Sequence, residues 1–489
     1  MRIKEVMFRK QRLTVLFPLC CILASCGGTD APVSDTTAVG SETTALETTE
    51  DSLQPELPDK KYDGEIITIF QRDDAKYLTD FNVEEADGDI MHDAVYERNS
   101  RIFEQFGVEF EMVLSGNLKG NDAINTILAG DDAYDLIIPH ARYAFPYAQK
   151  GLLLDWNDNL PYVNLDAPWW GQDAREAFSF CGKLHTMIGD ISYMNLAATN
   201  AMLFNKSIFD EYNLEYPYQT VLDGDWTFDT FSTLAKQAVK DLNGDTKISY
   251  ENDQMGYVTG KWIGPIQVLY TADQRICSKD ENDEMYLTLN TERTIEVFDK
   301  YFDFTDSEGM HILLENTYDK MTQVFADGRS MFIDMNIGDT INLRDMKDDF
   351  GIIPWPKFDE TLDRYYTNVD AGCNLICVPI TVGNPECISV VLEAMAYDSY
   401  KNVIPTYYDV VLQTKYTRDE ESPEMLDLIR EGRVYDIGYY YEGFVGEISS
   451  IGACLATEAD HSFSTFYAKY ETKAIAKLEE INGIYREME

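Results

Sequence analysis

Basic residues are scarce in this chain. Forty Lys and Arg stand against 86 Asp and Glu, a formal net charge of −46. Nucleic-acid binding needs clustered cations to meet phosphates, so the balance argues against that class. It argues equally against a peripheral hold on anionic lipid and makes a polyanionic ligand a poor expectation. Histidine is scarcer still. His92, His140, His185, His311 and His461 lie far apart in sequence. There is no Gly-x-Ser-x-Gly elbow, no HExxH, no phosphate loop and no CxxC, so no motif announces an enzyme. Cysteine supplies no framework either. Cys373 and Cys377 have no second pair at zinc-site spacing, and the six cysteines from Cys181 to Cys454 read as small buried hydrophobes. No segment is apolar over the about 20 residues that a membrane-spanning helix needs.

What is present begins with a basic, then apolar, N-terminus. Arg2, Lys4, Arg9, Lys10 and Arg12 precede an apolar stretch from Leu13 to Ala24. That is the plan of an export signal over residues 1–25. Leu23-Ala24-Ser25-Cys26 resembles a bacterial lipobox, which implies cleavage before Cys26 and diacylation of its thiol. From residue 26 to 60 the chain is acidic, rich in Ser and Thr, and free of aromatic side chains. Such a stretch buries too little apolar surface to offset its ordering entropy, so a disordered tether is expected.

Beyond it, strand and helix signals alternate. "EIITIF" (Glu65–Phe70) is β-rich. "DIMHDAVYERNSRIFEQFG" carries helical spacing and closes on Gly107. "VEFEMV" alternates with period two, "NDAINTILAG" reads as a short helix, and "YDLIIP" as a buried strand. Strand–helix–strand repetition predicts parallel β-α-β units with right-handed crossovers. Further on, Thr227 is placed to cap a helix with Phe228, Phe231, Leu234, Ala235 and Ala238 on one face. "NLICVPI" predicts another buried strand, followed by a helix near Glu386–Tyr397.

Several stretches together resemble the family 1 extracellular solute-binding proteins, the carbohydrate receptors of ABC importers. They are "AGDDAYDLII", "APWWGQDA", "AMLFNKSIFDEYNL", "GDWTFDTFSTLAKQAVKD", "FADGRSMF" and "FGIIPWPKFDE", in that order from Ala129 to Glu360. The resemblance implies an α/β, two-lobed, periplasmic-binding-protein-like type II fold with the ligand in the interlobe cleft. The first lobe is expected over 61–194 and 365–399, the second over 195–364 and 400–489. It also implies a lipid-anchored monomer outside the bacterial cytoplasmic membrane. Such a receptor delivers a sugar or oligosaccharide to a permease, without catalysis and with no required cofactor.

A sugar site combines flat aromatic platforms with planar amides and carboxylates that make paired hydrogen bonds. The expected ligand-binding residues are Trp169 and Trp170 in a polar loop, and Asp190, Tyr193 and Asn195 where the family chain first crosses between lobes. Trp262, Asn336, Asp339 and Asp370 complete the set. Trp355, between two prolines, is expected to pack structurally.

"DLNGDTKISYEND" imitates a calcium loop, with Asp241, Asn243, Asp245 and Ser249 at ligating positions and Asp253 just past the last one. Thr246 stands where the loop needs glycine, and Asn252 where it needs a bidentate carboxylate. A structural calcium site and a plain Asx-rich turn both remain open. Two other classes stay open for the whole chain. One is a surface glycoside hydrolase, because a carboxylate pair can always be nominated among so many acids. The other is an adhesive lipoprotein.

Overall fold

The computed structural model describes residues 53–74, 80–81, 83–117, 119–413, 421–441 and 446–488. The export signal, Cys26 and most of the tether fall outside these residues.

The first lobe is built on a parallel sheet of β1 (Glu65–Arg72), β2 (Val108–Ser115) and β3 (Leu136–Ile138), in the order β2-β1-β3. Parallel neighbours need a crossover, and the helix Ile90–Phe106 supplies the one between β1 and β2. Asp89 caps it by accepting from the Met91 and His92 amides. Gly107 ends it at φ 69°, where an added Cβ would stand 2.6 Å from Asp63 Oδ1. Residues 374–379 run antiparallel beside β3 through single bridges, Ile137 to Cys377 and His140 to Asn374. Residues 374–379 of the expected strand are buried and Ile380 is exposed, and the segment pairs through isolated bridges, with Met187 on Ile376, instead of a continuous ladder.

The second lobe holds a mixed five-stranded sheet. Its members are β4 (Asn200–Asn205), β5 (Met255–Gly260), β8 (Met310–Leu313), β9 (Ser330–Asn336) and β10 (Phe350–Ile353). The order is β10-β4-β9-β5-β8, with β5 parallel to both β8 and β9. A small antiparallel hairpin, β6 (Cys277–Lys279) and β7 (Met285–Leu287), lies outside it. Thr227 caps the helix Phe228–Gln237 as expected, accepting from the Thr230 amide. Phe228, Phe231, Ala235 and Ala238 are buried.

The lobes meet where the chain crosses. Thr199 bridges Val369, and β11 (Thr367–Asn368) pairs in parallel with β12 (Arg433–Val434). Gln267, 1% exposed, clamps this crossing. Its amide donates to the Tyr366 carbonyl at 2.9 Å, and its carbonyl accepts the Asn368 amide at 2.8 Å. Among the described residues no helix is long and apolar enough to cross a membrane.

Candidate ligand-binding cleft

Strands β1, β3 and β9 end around one cavity of about 760 Å³. In open α/β sheets the carboxyl ends of strands leave such a crevice, because successive connections depart on opposite faces. From the first lobe come Arg72, the last residue of β1, and His140, two residues past β3. From the second come Asn336, the last residue of β9, Asp339 and Asn342 in the tight turn that follows, and the helix Thr317–Ala326. Asp370 and Gly372, just past the crossing, complete the wall.

Arg72, His140 and Asp370 are each held by hydrogen bonds. Arg72 is 2% exposed, and its guanidinium donates to the Gly372 carbonyl. Asp370 accepts from the Gly372 amide at 2.7 Å and from the Tyr439 hydroxyl at 3.3 Å. Its own amide donates to the Ala198 carbonyl at 2.8 Å, tying it to the first crossing. The Ile337 amide donates to the Thr199 carbonyl at 2.9 Å, so Asn336 and Asp339 are anchored to the same segment. Gly338 permits this approach, since a Cβ there would lie 2.9 Å from the Ala197 Cβ. Asn336 is 3% exposed, and its side-chain carbonyl has no partner among the described residues. Burial, helped by the Arg72 and Arg142 charges, pushes His140 down to about 3, so its imidazole is neutral. Its Nδ1 accepts the Arg142 amide at 3.4 Å. With Asp74 and Asp319 the wall carries four carboxylates against one guanidinium.

Three expected residues, Asn336, Asp339 and Asp370, therefore share this cavity. Trp262 lies at the same edge of the second sheet, in the turn after β5, and is 44% exposed. The Lys261 ammonium sits 5.4 Å over its ring. The Lys261 amide donates to the Leu313 carbonyl at 3.1 Å, which brings this turn beside the one leading to Tyr318, itself 40% exposed.

The other candidates fall elsewhere. Trp169 and Trp170 are 2% and 1% exposed and do not reach the cleft. Their indole N–H groups donate to the two oxygens of one buried carboxylate, Glu393, at 3.1 and 2.9 Å. A buried carboxylate demands such donors, and the two adjacent rings satisfy it together. Asp190 and Asn195 line a separate cavity of about 180 Å³ with Arg430 and Arg433. Burial raises Asp190 to about 6, against the opposing pull of the two arginines. Tyr193 is buried with its ring 5.3 Å from that of Tyr407, and its amide donates to Asp80 at 2.9 Å. The segment that carries these three turns into the short buried helix Met194–Ala197, so the side chains do not line the cleft. Trp355 is fully buried, as expected, and donates to Asn200 at 2.6 Å.

In the 241–253 stretch the oxygens meet backbone amides. Asp241 accepts from Gly244 and Thr246 at 2.6 and 2.8 Å, and Asn243 from Asp245 at 2.8 Å. Asp245 accepts from Lys247 at 2.8 Å, while Asp253 accepts from Leu242 and Ser249 at 3.0 and 2.9 Å. Thr246 takes φ 68°, the conformation glycine adopts at that position of a calcium loop. Among the described residues no group of three or more His, Cys, Asp or Glu is gathered to hold a metal ion. These contacts are those of Asx turns.

A cleft at strand ends between two α/β lobes is a binding architecture, and the comparisons agree. A family profile described as bacterial extracellular solute-binding protein matches residues 101–389. The chain belongs to that family. No curated protein sequence matches it. Among solved structures, the ABC substrate-binding protein Lmo0181 from Listeria monocytogenes, in complex with cycloalternan, is 15% identical with a TM-score of 0.51. The alignment covers 87% of this chain and 99% of that one. An ABC transporter solute-binding protein from Thermotoga lettingae, bound with α-D-tagatose, is 14% identical with a TM-score of 0.54 over 86% and 99%. UspC from M. tuberculosis is 14% identical with a TM-score of 0.56 over 84% and 100%. At these identities the likeness is one of fold, the two-lobed periplasmic-binding-protein-like architecture.

Arg72, Asp74, His140, Tyr318, Asp319 and Asn342 were not singled out from the sequence. Arg72 ends a β-rich run, and His140 follows "DLIIP". The rule that ligands meet strand ends could have drawn notice to Arg72 and His140.

Proposed function

We propose that this chain is the solute receptor of an ABC importer and that its solute is a sugar or oligosaccharide. The observation that carries the reading is the cleft wall. Carboxylates, a buried amide carbonyl and one guanidinium converge in about 760 Å³, with exposed Trp262 and Tyr318 at the same sheet edge. That is the chemistry a ring with hydroxyls and apolar C–H faces calls for. Two solved structures that share this fold hold cycloalternan and tagatose. On this reading the chain performs no chemistry. It acts as a monomer, anchored through lipid on Cys26 outside the cytoplasmic membrane, and its closed, loaded form docks on membrane permease subunits. Closure follows from linkage, because a ligand shifts the lobes only by contacting the closed state better than the open one.

The test is incubation with an oligosaccharide panel. At least one member should raise the melting temperature and be recovered intact. Small-angle scattering should then show a smaller radius of gyration with that sugar than without it. Release of shorter sugars would favour the hydrolase instead, and no response to any sugar would remove the carbohydrate assignment. Labelling with an alkyne fatty acid should tag the wild type and spare Cys26→Ala.

A further inference from the structure

We propose a second binding site, for a small oxyanion, in a cavity of about 370 Å³ that shares no lining residue with the cleft. Lys and Arg make up 40 of 489 residues, yet four of the twelve residues around this cavity are Arg275, Lys279, Arg364 and Arg433. They come from three separated stretches: β6 and the turn before it, the approach to β11, and β12. The fold therefore gathers positive charge here, in a chain where acids outnumber bases two to one.

The arrangement is close. The guanidinium carbons of Arg275 and Arg364 both lie over the Tyr366 ring, at 5.4 and 4.5 Å from its centre. Arg275 has an ion-pair partner in Asp273 at 3.1 Å, and Lys279 has one in Asp283 at 2.6 Å. Arg364 and Arg433 have no carboxylate within ion-pair distance among the described residues, and Asp190 and Asp173 act on Arg433 from further off. The two acids on the wall, Asp173 and Glu176, are solvent-exposed. Four cations gathered here are only partly matched by these acids, and an anion between Arg275 and Arg364 lowers their remaining repulsion.

A second observation points the same way. Tyr435 lines the cavity and is 8% exposed, and its hydroxyl has no hydrogen-bond partner among the described residues. A buried hydroxyl normally finds a partner. Guanidinium forks and a hydroxyl donor are the groups that hold phosphate or carboxylate oxygens.

The experiment is a thermal-shift and calorimetric titration of the full chain with inorganic phosphate and, separately, citrate, each against sodium chloride at matched ionic strength. One of the two anions should stabilise the wild type beyond chloride. Arg364→Gln changes an exposed side chain and should keep the fold, while weakening that anion at least tenfold. Arg275→Gln should weaken it similarly, and Asp339→Ala, in the cleft, should leave it unchanged. The proposal is overturned if neither anion exceeds chloride, or if Arg364→Gln and Arg275→Gln respond as the wild type does. A response lost in Asp339→Ala but kept in Arg364→Gln would place the anion in the cleft and overturn it as well. Sugar binding is scored in parallel, so failure of the anion site is read separately from failure of the sugar assignment.

Discussion

Replacing Asp334 by Asn should make the protein more resistant to unfolding at pH 8 while changing it little at pH 5. Asp334 lies inside β9, opposite Met202, with no solvent exposure. The Tyr257 hydroxyl donates to it at 3.2 Å. Burial outweighs that bond and pushes the carboxyl up to about 7, from an ordinary 3.8. The folded chain therefore keeps a proton that the unfolded chain has released through the window from about pH 4 to 7. Stability from this group is present below the unfolded value and is lost as pH rises through the folded one. Between pH 5 and pH 8 the loss comes to about 2–3 kcal/mol, at about 1.4 kcal/mol per unit. Asparagine mimics the protonated acid and cannot lose the proton. Its amide has acceptors at hand, because the Tyr257, Thr259 and Tyr301 hydroxyls all converge near Gly264. Urea unfolding of both proteins at pH 5 and pH 8, followed by circular dichroism, measures the difference. The advantage of Asp334→Asn should grow by about 2–3 kcal/mol over that interval. Parallel pH profiles for the two proteins would refute the buried-acid argument, since the other carboxylates are common to both.

Further outcomes follow from the same contacts. Trp169→Ala or Trp170→Ala should cost about 3–5 kcal/mol of folding stability in urea, because each removes a buried indole and a donor to Glu393. Trp262→Ala should leave stability within about 0.5 kcal/mol and weaken sugar binding in a calorimeter, and the reverse pattern would put Trp262 in the core. Asn336→Ala should lower sugar affinity by about 5- to 150-fold, the equivalent of about 1–3 kcal/mol for a lost buried hydrogen bond, and unchanged affinity would move the ligand out of this cleft. Calcium chelation should leave the melting temperature unchanged, since the Asp241, Asp245 and Asp253 oxygens already meet amides. A fall that Asp241→Ala abolishes would restore the calcium loop.

The sequence by itself determined what is local. A β-rich run marked β1, period two marked β2, helical spacing and Gly107 marked the helix between them, and Thr227 announced its own cap. These signals hold because side-chain direction and amide capping depend on neighbours a few residues away. Likeness to known chains added the second-lobe wall, Asn336 and Asp339, together with Asp370. The tertiary structure alone decided the rest. Arg72 meets Gly372 across 300 residues, and no spacing in the sequence records that strand ends so far apart converge. Trp169 and Trp170 looked like platforms because paired aromatics in a polar loop fit an open site. They are buried because Glu393, 224 and 223 residues further on, enters the core on a helix and needs two donors there. A carboxylate's demand for partners becomes visible only once the fold has removed its water.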